Sequence, residues 1–144
     1  MKSILTCVVI FCSLVKPVAE KWKVDPALIL AVMWVESRCQ AKAKSKGNYG
    51  LMQVNEIWVK ESRKRGERLR LRDLLELEKN VDVGTMILGE CLTKAKGNLR
   101  RALVCYRGEK DWEYVRKVER AYFELKRKGV CLDSKVEKIL WKNE

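Results

Sequence analysis

Glu36 is the residue on which a chemical reading of this sequence can be built. It closes the stretch 25–37, DPALILAVMWVES, directly after nine consecutive apolar residues, 27–35. Asp25 is a good N-cap, and Pro26 suits the first helical position, where a missing N–H leaves nothing unpaired. The stretch therefore predicts a helix. Being apolar at every position, that helix must be buried on all sides rather than along one stripe, and it is too short to cross a bilayer. Glu36 falls four residues after Val32 and eight after Leu28, on a face that is otherwise hydrocarbon. An unpaired carboxylate is costly to bury, and the usual response is a raised pKa. A carboxyl group still protonated near neutral pH is what general acid catalysis requires. The plainer alternative is a helix-end glutamate that reaches water or pairs with Arg38.

Other chemistries are excluded by composition. The chain has no histidine, so Ser-His and Cys-His nucleophilic machinery is absent. It has no C-x-x-C, and the cysteine spacings fit no zinc motif; no metal or cofactor is called for. Lys2 precedes a nearly wholly apolar run, 4–15, with the length of a signal-peptide core and too short to span a membrane. The expectation is a signal peptide or N-terminal anchor over 1–15, with a boundary between 13 and 19 because no small-x-small site precedes Lys16, and a single domain over 16–144. Export and loss of the leader would leave Cys39, Cys91, Cys105 and Cys131 in an oxidising compartment. Four cysteines allow three pairings, and the sequence does not choose among them. They read equally well as small buried hydrophobes.

The elements that must position Glu36 follow in order. With 47% hydrophobic residues, no repeat, no low-complexity tract and no period-two alternation outside the leader, the chain reads as one mainly α domain. Helices are expected over 56–65 (capped by Asn55, ended by Gly66), 81–93 (capped by Asn80), 99–105 (capped by Asn98) and 112–128 (capped by Asp111, ended by Gly129). A short last helix is expected over 134–141, and a β-like turn near 44–50. Gly84, Ile87, Leu88 and Cys91 form the buried stripe of the second of these helices, and Gly84 suggests close approach to another helix. Residues 60–72 carry seven basic side chains against two acids, and the whole chain carries a net charge of +12. That run could hold an anionic polymer; a solvated helix face and loop is the preferred reading.

Ser37 follows Glu36 directly, Ser45 comes eight residues later, and Gly50-Leu51-Met52-Gln53 lie within 47–54. This pattern resembles that of the lytic transglycosylases of glycoside hydrolase family 23, the soluble type in the lysozyme-like superfamily. The resemblance runs from about residue 18 to 122, with residues 13–24 similar to the family's first helix. NVDVGTMILGECL at 80–92 resembles its N-x-x-x-G-x-x-x-L helix. Tyr106-Arg107-Gly108 resembles its A-Y-N-x-G element, with Arg107 where asparagine is usual and Cys105 in place of a small residue. Tyr114-Val115 with Val118 resembles its Y-V-x-x-V segment.

The resemblance implies a lysozyme-like helical domain with the catalytic glutamate, Glu36, at the end of a buried central helix. It implies non-hydrolytic cleavage of the MurNAc-β-1,4-GlcNAc bond of peptidoglycan, leaving 1,6-anhydro-MurNAc ends. Ser45 would bind the 2-acetamido group or steady Glu36, and Gly50 would let sugar approach closely. Met52 and Gln53 would line the cleft, the thioether against a sugar face. Tyr106 would bring its hydroxyl to Glu36 or the acetamido group, and Tyr114 would line the site. Taken singly these are an ordinary loop serine and packing residues. Glu56, Glu90 and Glu109 do not match a second catalytic acid. The partners implied are peptidoglycan strands in the periplasm or cell envelope, with a secretion, conjugation or phage apparatus as a further candidate and no nucleic acid. Two alternatives stay open: a hydrolytic goose-type-like lysozyme on the same fold, and a non-catalytic basic wall-binding module.

Overall fold

The computed structural model describes residues 3–131. In chain order the elements are α1 (Ile4–Trp22), α2 (Pro26–Ser37), β1 (Lys44–Ser45), β2 (Asn48–Tyr49), β3 (Val54–Asn55), α3 (Ile57–Lys64), a 3₁₀ turn (Leu71–Leu75), α4 (Leu77–Lys94), α5 (Leu99–Arg107) and α6 (Trp112–Lys128). The fold is mainly helical, with α2 at its centre. Each residue from Ala27 to Met33 is at most 3% exposed, because α1 packs on one side of α2 and α6 on another. The start of α2 is fixed by Asp25, which accepts hydrogen bonds from the Ala27 N–H (2.9 Å), the Tyr122 hydroxyl (3.0 Å) and the Lys126 ammonium (2.6 Å). Its end is fixed by Ser37, whose buried Oγ lies 2.7 Å from the Leu51 carbonyl and 3.0 Å from that of Met33. The apolar run thus sets the depth of the helix, and two polar residues set where it starts and stops.

Residues 4–15, the expected leader, form the first part of α1. Cys7, Val8, Phe11, Cys12 and Val15 face the core at helical spacing, while Val9 and Ile10 point outward. Among the described residues no helix is long and apolar enough to cross a membrane. Three disulfides join Cys7 to Cys39, Cys12 to Cys131 and Cys91 to Cys105. Cys39 and Cys131 therefore pair with cysteines of the expected leader and not within the set of four. A cut between 13 and 19 would take away the partners of both.

The turn expected near 44–50 is a small antiparallel sheet in the order β1-β2-β3, with Lys44 opposite Tyr49 and Tyr49 opposite Val54. Helix α4 begins a turn earlier than Asn80. That residue is not a cap: its side chain, 1% exposed, turns to the loop that follows β2. Gly84 does mark a close approach, but to Met52 of that loop; a Cβ at Gly84 would lie 2.8 Å from the Met52 Cβ. Asn55 lies two residues before the first residue of α3, with Glu56 at the cap position, and its Oδ1 accepts from the Ile57 N–H (3.0 Å). The seven basic residues of 60–72 are all exposed, and three of them meet acids: Lys64 with Glu61, Arg65 with Glu90 and Arg70 with Asp73. The helix expected over 134–141 lies outside the described residues.

Candidate active site

A cleft crosses the molecule at the end of α2, in two adjoining hollows of about 450 and 340 Å³ that share Glu36, Asn48, Gln53 and Arg107. The first is completed by Val54, Asn55, Trp58, Ile87, Glu90, Lys94 and Tyr106 among others. The second adds Ser45, Asp111, Glu113, Tyr114 and Lys117. The strands form one wall, α4 and α5 another, and the first turns of α6 close the far end.

The Glu36 side chain is only 7% exposed. Its two oxygens have different neighbours. Oε2 accepts a hydrogen bond from the Tyr114 hydroxyl (2.9 Å), and Oε1 lies 3.6 Å from Nη1 of Arg107. Burial raises the carboxyl pKa to about 7; the Tyr114 hydrogen bond and the Arg107 charge pull it down without cancelling that rise. The pairing of Glu36 with Arg38 offered as an alternative does not occur. Arg38 ends α2 in a left-handed conformation and stacks its guanidinium over Trp34 at 4.6 Å. Burial, with the Glu36 charge nearby, pushes the phenols of Tyr114 and Tyr106 well above their ordinary range. Both therefore keep their protons and act as donors.

The two tyrosines divide the work differently from the expectation. The Tyr106 hydroxyl does not meet Glu36; it donates to the Met52 carbonyl at 2.8 Å, and its ring forms part of the cleft wall. Tyr114, only 5% exposed and anchored by the Asp111 cap of α6, makes the contact with Glu36. Ser45 faces the same hollow as Glu36, on the exposed edge strand.

Gln53 lies between the hollows, but its Nε2 is engaged by the carbonyls of Ala43 (3.0 Å) and Gly50 (3.1 Å), so it braces the loop as well as facing the cleft. Gly50 and Met52 do not line the cleft. Met52 is 0% exposed, its sulfur 3.6 Å from the Thr85 hydroxyl, because the space left by Gly84 draws the side chain under α4. Gly50 takes φ +79°, and a Cβ there would collide with Asn80 Nδ2 and the Leu74 carbonyl oxygen. Both residues build the loop that holds Gln53 and Tyr106.

The residue that holds this loop is Asn80. Its Oδ1 accepts from the Met52 N–H (2.8 Å), and its Nδ2 donates to the carbonyls of Tyr49 (2.7 Å) and Leu74 (2.6 Å). Sequence reasoning treated Asn80 as a cap, and no local signal separates the two uses. It also missed Trp58, whose ring lies under the Arg65 guanidinium at 5.3 Å, and the pair of Asn48 and Asn55 (3.1 Å). The other acids of the cleft are matched with cations: Glu90 with Arg65 (2.7 Å), Asp111 with Arg107 (3.6 Å) and Glu113 with Lys117 (3.1 Å). Among the described residues no group of His, Cys, Asp or Glu could hold a metal ion. The arrangement can deliver a proton from one buried carboxyl into an open groove and take one back.

A family model described as the transglycosylase SLT domain matches residues 13–123. The fold is also similar, with a TM-score of 0.61, to that of lytic transglycosylase Slt from Pseudomonas aeruginosa, solved as an inactive glutamate-to-glutamine mutant. The two are 21% identical, and the match covers 89% of this chain but 22% of that one. This chain therefore spans only a small part of the larger protein's length.

Proposed function

Because the chain belongs to the transglycosylase SLT domain family, we propose that it is a peptidoglycan lytic transglycosylase in which Glu36 serves first as acid and then as base. The observation that carries this reading is the state of Glu36: a buried carboxyl with a pKa near 7, held on one oxygen by a phenol, opening on a groove where every other acid already has a cationic partner. Ordinary glycoside hydrolysis uses two carboxylates. One suffices if the substrate supplies the rest.

The steps balance with the substrate's own groups. Glu36 gives its proton to the oxygen between MurNAc C1 and GlcNAc, the C1–O bond breaks, and the GlcNAc-ended fragment leaves with that proton. The 2-acetamido carbonyl oxygen stabilises the cation at C1. The Glu36 carboxylate then takes the proton of the MurNAc C6 hydroxyl as O6 bonds to C1, and the acid is restored with no water consumed. Three disulfides suit an oxidising compartment, and action in the cell envelope is part of the proposal.

Mass spectrometry of digested peptidoglycan tests the reading. The expected fragments end in anhydro sugars, lighter by one water than hydrolysed ends. Predominantly hydrolysed ends would make the protein a lysozyme on this fold.

The division between the tyrosines gives a second expectation. Tyr114→Phe keeps the buried ring and removes only the donor to Glu36, so turnover should fall at least tenfold, about 1.4 kcal/mol of transition-state stabilisation. Tyr106→Phe removes a bond to a backbone carbonyl. It should cost about 0.5–1.5 kcal/mol of stability and leave turnover near that of the wild type. Steady-state rates on purified sacculi, beside thermal unfolding, separate the two. Equal losses of rate in both variants would undo the assignment.

A further inference from the structure

Arg107 is the last residue of α5, followed by Gly108 in a left-handed conformation. Its guanidinium is fixed from several sides. Nη2 lies 3.6 Å from Asp111 Oδ2, Nε lies 3.9 Å from Glu109 Oε1, and Cζ stands 5.0 Å over the Tyr114 ring. The remaining nitrogen, Nη1, faces Glu36 Oε1 at 3.6 Å. Since Tyr114 donates to Oε2, the transferable proton of Glu36 belongs on Oε1, the oxygen beside Arg107. When that proton leaves, the new negative charge forms 3.6 Å from a fixed cation.

We propose that Arg107 is a positioning residue for proton transfer: as Glu36 protonates the leaving oxygen, Arg107 takes over Oε1 and stabilises the carboxylate, favouring the acid half of the reaction over the base half. The proposal rests on the transglycosylase reading only in naming what receives the proton. A planar, always-charged fork held by Asp111 and Glu109 is suited to this, because it need not reorganise when the charge appears. An asparagine at the same place could offer a hydrogen bond but no charge.

The groups that could compete are few. From α5 these are Tyr106 and Arg107. From α6 come Asp111, Glu113, Tyr114 and Lys117, with Asp111 paired to Arg107 itself and Glu113 paired to Lys117. Across the cleft α4 contributes Glu90, paired to Arg65, and Lys94. The strand wall offers Ser45, Asn48 and Gln53, none of which titrates in this range. Arg107 is the cation in contact with the Glu36 carboxyl.

The test compares the wild type with Arg107→Asn and Arg107→Lys at fixed ionic strength. The pH dependence of kcat/KM on sacculi is followed through its alkaline limb, where the acid loses its proton. An opposite charge in contact lowers a carboxyl pKa, so Arg107→Asn should move that limb upward by about one pH unit. Arg107→Lys, which keeps the charge, should recover most of the shift. Carbon-13 titration of the Glu36 carboxyl reads the same displacement without requiring activity. A limb and a titration that move equally in both variants, or in neither, overturn the proposal. Fragment masses from the same digests show separately whether the transglycosylase reading fails, since hydrolysed ends would leave the titration result standing.

Discussion

Replacing Glu36 with glutamine is expected to abolish most peptidoglycan cleavage and, above neutral pH, to make the protein more stable. General acid catalysis alone contributes about 10²–10⁴-fold. Here the same carboxyl also acts as base with no second acid free to substitute, so the rate should fall by at least the upper part of that range. The amide is nearly isosteric, and its oxygen can still accept from Tyr114. The stability effect follows from the position of the pKa. In the folded chain Glu36 titrates near 7, against 4.5 for the free group. Between those values the unfolded chain gives up a proton that the folded chain keeps, so this group's effect on stability becomes steadily less favourable as pH rises from 4.5 to 7. Below 4.5 both states are neutral and the effect vanishes. The glutamine variant should therefore match the wild type near pH 4 and exceed it by on the order of 3 kcal/mol at pH 8. Denaturant unfolding at the two pH values and turnover on sacculi provide the check. Near wild-type clearing by the variant would make Glu36 structural.

The second large effect is expected at a residue that touches no substrate. Asn80→Ala removes a side chain that satisfies the Met52 N–H and the carbonyls of Tyr49 and Leu74, all at a position 1% exposed. A buried polar group left without a partner costs about 1–3 kcal/mol, and the sum over this set should reach about 3–5 kcal/mol. Catalysis should suffer as well, because the loop from Gly50 to Gln53 sets Gln53 between the two hollows of the cleft. Asn80→Asp keeps the acceptor for Met52 but sets a charge against two carbonyl oxygens, and it should be no better tolerated. The shift in urea midpoint measures the loss. A change below about 1 kcal/mol would mean that water replaces the amide at little cost.

These two residues also mark what could be read from the chain alone. The burial of Glu36 was legible because the nine residues before it are all apolar, and the helix that buries it was legible for the same reason. Asn80 was not. An asparagine just ahead of a helical run has the composition of a cap, and only the fold shows that the helix starts at Leu77. The tyrosines are an intermediate case. Both were placed at the site, but which hydroxyl faces Glu36 depends on how α5 and α6 are turned about their axes, and sequence spacing does not fix that rotation. Met52 and Gly84 are legible only as a pair: the missing side chain on α4 is what admits the thioether, and neither residue announces the other. Cysteine pairing was beyond reach for a similar reason, since it depends on α1 belonging to the core.

The three disulfides also order events in time. A chain made from its N-terminus presents Cys7, Cys12 and Cys39 together, long before Cys131 exists, and the 32-residue separation of Cys7 and Cys39 allows that bridge to form on a short nascent segment. Cys91 and Cys105, 14 residues apart, close the smallest loop and have the least entropy to overcome. Their union removes two thiols that could otherwise capture Cys12. Cys12 must then wait for a partner 119 residues away, which emerges only after every helix described here has been synthesised. The Cys12–Cys131 bridge is thus a clasp between α1 and the segment that follows α6, across a loop whose ends the intervening helices bring together.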